Sequence, residues 1–585
     1  MSSLVDFPVS LPTSAFPPET NASDVASAFT SKLNDLQEQH FVKDALWRDT
    51  FALTGTLRTF YSAPSIFAAW KETSSQAKVG NFATDPDSAY VVRIGENVAW
   101  LDVNFTFETS GSPQTTCSGF LSLVPDGEGG WQIWLLRTIL EQLKGHGNVD
   151  VLESAQTNGH GGHVSNGTED ETSFDCVVIG GGQAGLSAGG RMKALGISYV
   201  ILDKNPEVGD SWKRRYNSAR LHTTREYAHL PFDRTFPSHY QELLTKDDLA
   251  QGYKDWVSKF GINIWQKSSA KTGTWDPIQN VWTLNIQRDG NDRTLKCKYI
   301  VLAGGGGFQT PSMPIYADRD IYQGTVLHSA DYTEPSTWKN KHGVVVGTAN
   351  TAHDAADDML SAGLASVTMI QRGITYVLPL EYYKVPTEIA DRIGSSNPNA
   401  VADLASQLSL KAMVDKEPER FDALERAGFK VDRYGSIIHH IANRMGGHYL
   451  DVGVSKKISD GLITMKSDSV PIRYTRDGLE FADGSVLKAD LIVFATGFVH
   501  NMKLQVKDLF GAEIAEQMGD YWGLDEEGEL KGAFKRCGHP ALFYHGGTQG
   551  HARFFSRFIA LQIKAGLLGT PLALYKPSQM AKVLQ

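Results

Sequence analysis

Phe174–Asn205 reads FDCVVIGGGQAGLSAGGRMKALGISYVILDKN. The apolar run CVVI (Cys176–Ile179) ends at Gly180-Gly181-Gly182-Gln183-Ala184-Gly185, a helical stretch follows, and a second apolar run ends at Asp203. The spacing predicts strand, turn, helix, strand. Gly180 permits the tight turn, Gly182 lets backbone approach a pyrophosphate, and Gly185 lets the helix pack closely on the strand. A diphosphate then sits at the positive end of the helix dipole. Asp203, 23 residues after Gly180, is placed to accept hydrogen bonds from an adenosine ribose. Gln183 and Lys204 flank these positions and complete the expected binding set.

A second such unit starts at HGVVVGTANTAHDAADDML (His342–Leu360) and runs into SVTMIQR (Ser366–Arg372). Its turn, Gly347-Thr348-Ala349-Asn350-Thr351-Ala352, has Ala349 where the middle glycine is usual. One reading is a degenerate repeat that binds nothing. Against it stand the good strand GVVV and the end of the second strand, Gln371-Arg372 in place of an acid. Arg372 can pair with a 2′-phosphate, which favours NADPH over NADH. Asn350, at the helix start, is expected to position that nucleotide. A late apolar strand, ADLIVFATGF (Ala489–Phe498), is expected to return to the first sheet and to end at a turn through Thr496 and Gly497. The fold class is therefore α/β with two Rossmann-like domains.

Two dinucleotide sites in series suggest a flavin taking hydride from a nicotinamide. Dithiol reductases share that layout but need a redox cysteine pair. Cys117, Cys176, Cys297 and Cys537 lie far apart with no CxxC. Electrons must leave the flavin for another acceptor, and oxygen is the obvious one.

The rest of the 585 residues bounds the reading. The length gives a soft prior of roughly three to four domains. A net charge of −10 argues against a nucleic-acid surface. No apolar run reaches the ~18 residues of a membrane span, no secretory leader is visible, and no metal-ligand spacing stands out; cytoplasmic residence is the default expectation. Residues 1–24 read as an arm. Val25, Phe29, Leu33 and Leu36, then Phe41, Leu46, Phe51 and Leu57, read as helical, capped by Ser23 or Asp24. Period-two alternation follows at Ala99–Phe107, Cys117–Val124 and Trp131–Thr138, the last two joined by the turn DGEGG. This makes 25–144 a small α+β domain. Residues 145–173 are polar and glycine-rich and read as a flexible linker, with His160 and His163 solvated and the sequon Asn166-Gly167-Thr168 without consequence in an unsecreted chain. The remaining expected divisions are 174–335 and 489–585 for the first nucleotide domain and 336–488 for the second.

From Phe174 to about Gly569 the chain resembles the class B flavoprotein monooxygenases. That family includes the flavin-containing monooxygenases, the auxin-type enzymes and the Baeyer–Villiger enzymes. Besides the two glycine turns, three stretches carry the resemblance: Gly209-Asp210-Ser211-Trp212; Tyr322 through Tyr332 with Gly324 and His328, similar to the FxGxxxHxxxF/Y/W fingerprint; and Phe494-Ala495-Thr496-Gly497-Phe498. The resemblance implies FAD at Gly180, Gly182, Gln183, Gly185, Asp203, Lys204, Ser211, Trp212, Arg215, His222, Thr223, Thr496 and Gly497. It implies NADPH at Gly347, Thr348, Asn350, Thr351 and Arg372. It places His222, which stands where subtypes of the family differ, near the reactive edge of the flavin, with a structural histidine as the alternative. His222 and Asn350 are the implied catalytic residues. The stretch GGHYLDVG (Gly446–Gly453) is similar to the auxin-type branch, and the start of Gly546–Leu567 is a candidate to pass the flavin ring. Residues 1–145 more loosely resemble an NTF2-like domain, which implies closure over the active site, dimerisation, ligand binding, or no part in catalysis.

The implied activity is NADPH- and O2-dependent oxygenation of a small-molecule substrate through a C4a-(hydro)peroxyflavin, first at N or S. The alternatives are Baeyer–Villiger or oxidative-decarboxylation chemistry on a ketone or keto acid, and an uncoupled NADPH oxidase or flavin-loaded binding protein. A homodimer is open.

Overall fold

A computed structural model describes residues 4–576 apart from 14–15, 18–19, 156–170, 306–309, 381–385 and 388–389. His160, His163 and the sequon lie outside the described residues.

The N-terminal unit is α1 (Ala22–Asn34), β1 (Phe41–Thr50), β2 (Leu57–Tyr61), α2 (Ala63–Ala77), β3 (Val79–Ile94), β4 (Val98–Thr109), β5 (Thr115–Pro125) and β6 (Trp131–Leu143). The sheet order is β2-β1-β6-β5-β4-β3, with β1 parallel to β6 and the other pairs antiparallel. Two expectations fail here. The helix cap is Asn21, whose side chain accepts from the Ser23 N–H, and neither Ser23 nor Asp24 caps. Phe41–Leu57 is a strand and a turn, not a helix. Six consecutive residues, Ala45–Thr50, are buried because β1 has packed material on both faces. Its polar members are matched: Asp49 accepts from Leu53, Thr54 and Thr138, and Trp47 donates to Thr138. A buried polar residue with partners is invisible to a hydrophobicity pattern.

Residues 145–155 are docked rather than a free linker. Val149 is fully buried, and Asp150 pairs with Arg191 and Arg557. Those guanidinium groups outweigh the burial that would raise the Asp150 carboxyl and hold it down at about 2.

The first nucleotide unit is built on β7 (Ser173–Ile179), α3 (Gln183–Ala194), β8 (Tyr199–Leu202), α4 (Asp210–Lys213), α5 (Lys246–Phe260), β9 (Ile264–Trp265), β10 (Ser268–Asp276), β11 (Val281–Arg288) and β12 (Asn291–Leu302). Its sheet runs β10-β11-β12-β7-β8-β9. The second unit holds β13 (Thr325–His328), β14 (His342–Val346), α6 (Asn350–Ser361), β15 (Ser366–Ile370), β16 (Thr375–Pro379), β17 (Val431–Asp432), β18 (His448–Asp451) and β19 (Thr464–Lys466). It also holds the meander β20 (Pro471–Thr475), β21 (Gly478–Phe481) and β22 (Val486–Lys488).

The late strand, β23 (Leu491–Phe494), does not return to the first sheet. It lies between β13 and β14 in the order β13-β23-β14-β15-β19, parallel to both. The strand that returns to the first sheet is β24 (Leu542–Tyr544), which pairs with β12. Both are short apolar runs, and nothing local to either says which sheet it joins. From β24 the chain enters the C-terminal helix Gln549–Leu567, which packs on α3 and β6. Among the described residues no helix is long and apolar enough to cross a membrane.

Candidate active site

The two glycine turns have the same backbone. Gly180 has φ +114° and Gly347 φ +127°, in the left-handed region open to glycine. A Cβ on Gly180 would stand 2.5 Å from the Ala303 carbonyl oxygen, and one on Gly347 2.6 Å from that of Ala495. Each glycine thus lets its turn approach the end of the neighbouring strand. Gly182 and Ala349 both cap their helices in extended conformation, at φ −80°, ψ −171° and φ −91°, ψ −175°. Alanine therefore imposes no backbone change on the second turn. Gly185 is held tighter than Ala352: a Cβ there would meet the Gly180 carbonyl oxygen at 1.8 Å.

One cavity of about 590 Å³ opens at the first turn. Gly180, Gly182, Gln183, Asp203, Lys204, Ser211, Trp212 and Arg215 all line it. A Cβ on Gly182 would meet nothing within 4 Å, so its face is turned to the open cavity. The first N–H groups of α3 lack intrahelical acceptors, and no side chain caps them. Asp203 accepts from the backbone and side-chain N–H groups of Asn205, both at 3.0 Å, and burial raises its carboxyl. Arg215 lies over the Trp212 ring at 4.1 Å. This donor set fits a dinucleotide: free N–H groups for the diphosphate, a carboxylate for the ribose, and aromatic and apolar wall beyond.

In the second unit, Thr348 Oγ1 bonds Thr375 Oγ1 at 2.6 Å, and Asn350 Oδ1 accepts from the Leu450 N–H at 2.8 Å. Thr351 stands beside the Tyr216 hydroxyl, which donates to Asp354 at 2.7 Å. Arg372 is exposed just past β15, while Gln371 is buried on Lys430.

Residues 177–402 match the family model described as pyridine nucleotide-disulphide oxidoreductase. The chain is 26% identical over 342 residues to a probable indole-3-pyruvate monooxygenase, YUCCA3 of Arabidopsis thaliana, covering 57% of this chain and 75% of that one. It is 24% identical over 335 residues to the indole-3-pyruvate monooxygenase YUCCA1 of Oryza sativa subsp. japonica, covering 57% and 78%. In fold it is similar to a cyclohexanone monooxygenase from Rhodococcus sp. Phi1 bound to NADP+, with TM-score 0.50, 16% identity, and 68% and 85% of the two chains covered. The chain is a flavin-dependent monooxygenase. FAD and NADPH are its cofactors.

In this monooxygenase the structure also shows what the sequence signatures do. The fingerprint is a tether. Tyr322 donates to the Ala489 carbonyl at 2.9 Å, the His328 Nε2 meets the Gly497 carbonyl at 3.0 Å, and Tyr332 donates to Asp358 on α6 at 3.0 Å. Thr496 donates to the Ser312 carbonyl at 2.5 Å, and Gly497 accepts from the Ser312 N–H at 2.9 Å. Neither lines the cavity, but the adjacent Phe498 does.

His222 and Thr223 are not on the cavity wall. Both ring nitrogens of His222 are engaged, Nε2 with Asp354 Oδ1 at 2.8 Å and Nδ1 with the Leu450 carbonyl at 3.1 Å. Burial by itself would lower the imidazole; the Asp354 carboxylate and the Leu450 carbonyl outweigh it and raise the pKa. His222 here ties the segment after α4 to α6 and β18.

Two histidines are on the wall, His500 and, at the start of β18 with Met445, Gly446 and Ile441, His448. Its stretch, GGHYLDVG, was a visible signal without an assignable role. Trp522, His500 and Gly304-Gly305 also line the cavity and were not singled out, although a glycine run closing a buried strand marks close approach. Gly546 to Thr548 line it too, where the C-terminal helix starts.

Burial lowers His448 and His545 to about 3 and His551 to about 4, so all three are neutral in the fold. Below pH ~6.5 the unfolded chain binds protons there that the fold refuses, and stability falls as pH drops. Acid should release FAD between about pH 6 and 4, read as rising FAD fluorescence with loss of near-UV circular dichroism. FAD retained to pH 4 would contradict this.

Proposed function

We propose that this enzyme oxygenates a small or medium, largely apolar organic substrate, consuming one NADPH and one O2 and delivering one oxygen atom to product and one to water. The carrying observation is that one continuous cavity joins the first glycine turn to a wall of Ile441, Met445, Phe498 and Trp522. FAD, when bound and reduced by NADPH, supplies the oxygen-activating chemistry. The chain contributes the rest. α3 and Asp203 bind, the aromatic wall excludes water, and His448, neutral, can donate or accept one hydrogen bond at a polar atom of the substrate.

Oxygen insertion beside a carbonyl is the first reading, since the relatives named as indole-3-pyruvate monooxygenases share more than half of this chain. Oxygenation at N or S is the second; it needs no charged group on the substrate, and His448 and His500 are both held low by burial. The test is turnover under 18O2 with a ketone, a 2-oxo acid, a thioether and a tertiary amine. One labelled atom in product per NADPH consumed is expected for one class. Stoichiometric peroxide with no labelled product in any arm would replace the proposal with an oxidase.

We further propose that residues 25–144 are an NTF2-like domain, a reading supported by the six-strand order with α1 packed on β3 and α2 on β1 and β2. Arg372 is proposed to pair with the 2′-phosphate. Arg372→Ala should raise the KM for NADPH about tenfold or more and leave that for NADH nearly unchanged, since a charge-assisted contact is lost with one nucleotide only. Equal effects on both would remove Arg372 from the site.

A further inference from the structure

The N-terminal sheet touches both nucleotide units through one buried network. Arg48 on β1 is 4% exposed. Its Nε and Nη2 donate to the two carboxylate oxygens of Glu529, both at 2.7 Å, in the long loop that leads to β24 of the first sheet. Its Nη1 donates to the carbonyls of Ser395 at 2.6 Å and Asn397 at 2.8 Å. Those carbonyls belong to a strap, 390–399, that leaves the second nucleotide unit between β16 and the helix Asn399–Val414. Arg137 on β6 adds a bond to Asn397 Oδ1 at 3.0 Å and is itself held by Asp102 at 3.0 Å.

The same strap is tied on its other side. Asp391 takes a two-pronged bond from Arg553, at 2.6 and 2.7 Å, and Arg553 also donates to the carbonyls of Tyr227 and His229. Arg392 pairs with Glu141 of β6, which also receives Arg557. Arg553 and Arg557 lie on the C-terminal helix, whose capping Thr548 is on the cavity wall. Apolar contacts follow the same path: Val401 packs with Leu46, Trp100 and Trp134, and Phe51 stacks on Phe558 at 5.0 Å. Meanwhile the space between the sheet and α2 is filled by rings, with Trp47 against Phe60 at 4.9 Å and Trp70 at 5.4 Å.

A buried guanidinium is tolerated only where its donors are matched. Arg48 is matched only when the sheet, the Glu529 segment and the strap stand in this one arrangement. We infer that the N-terminal sheet is an intramolecular staple, with Arg48 as the positioning residue that fixes the NADPH-binding unit against the FAD-binding unit. The approach of the nicotinamide to the cavity then depends on a sheet that contributes no residue to the cavity wall.

The experiment compares holoenzyme with Arg48→Ala and Arg48→Lys. Three quantities are read: bound FAD from the visible absorbance, hydrogen exchange across 390–414, and anaerobic flavin reduction at saturating NADPH. For Arg48→Ala we expect FAD content unchanged, faster exchange confined to 390–414 and 527–529, and reduction about tenfold slower, because small misplacement of reacting groups is costly. Lysine should restore only part, since one ammonium cannot span a carboxylate and two carbonyls. Unchanged exchange and reduction in folded Arg48→Ala would overturn the inference. So would a general loss of FAD and thermal stability without selective exchange in the strap. If Arg48→Ala does not fold, Asn397→Ala, which removes only the Arg137 bond to the strap, should show the same changes at two- to threefold; no change there overturns the inference as well. Should wild type not be reduced by NADPH at all, the proposed function fails, and the exchange measurement still judges the staple.

Discussion

Gly182→Val should give a folded, colourless protein. The position is extended, and a Cβ there meets no protein atom within 4 Å. The fold has no objection to a larger residue, but the isopropyl group fills space in front of the free N–H groups of α3. A diphosphate cannot then reach them, and FAD affinity should fall at least about a thousandfold, ~4 kcal/mol. The contrast is Gly185→Ala, whose Cβ would overlap the Gly180 carbonyl at 1.8 Å and should damage folding itself. Purified Gly182→Val with native far-UV circular dichroism and no flavin absorbance is the expected result. A yellow Gly182→Val protein would mean that the first turn is not where the diphosphate lies.

Asp354→Ala should be the most destabilising single change between the two nucleotide units. The Asp354 carboxylate accepts from Tyr216 at 2.7 Å and from His222 at 2.8 Å, all three groups being buried. Removing one partner leaves a buried imidazole and a buried phenol unpaired, a loss of about 3–5 kcal/mol. The neutral isostere Asp354→Asn gives the pH signature. Because the folded His222 pKa is raised, the pair's contribution is fully present below pH ~6.5 and is lost as pH rises through the folded value. The gap in urea midpoint between wild type and Asp354→Asn should therefore be larger at pH 6 than at pH 9. An equal gap at both would show that His222 is not charged in the fold.

Much of this chain can be read without its structure. The two turns are local devices. A glycine at positive φ, a strand before it, a helix after it and an acid at the end of the next strand are each set by residues a few positions apart. Gly180, Gly182, Gln183, Asp203, Lys204, Ser211, Trp212 and Arg215 were all legible, and one cavity gathers them. The hairpin through DGEGG was legible for the same reason, with Pro125 paired to Trp131.

What failed was long-range. β1 carries Arg48 and Asp49 in its buried run, and their partners lie at Glu529, Thr138 and the strap, up to 481 residues away. Only the assembled sheet explains why they are inside. Whether β23 or β24 joins the first sheet was a choice between two sheets, settled by long-range pairing with β13 and β14 or with β12. His222 is placed the same way: an imidazole pattern says nothing of whether a carboxylate from another unit will fix its position and stabilise its protonated form. Sequence by itself determined the nucleotide turns and the absence of a CxxC pair, which excludes a dithiol reductase, because those depend on backbone freedom and residue type alone. Tertiary structure decided which histidines reach the cavity and how the N-terminal sheet is joined to the rest, because buried polar groups are placed only by the partners that satisfy them.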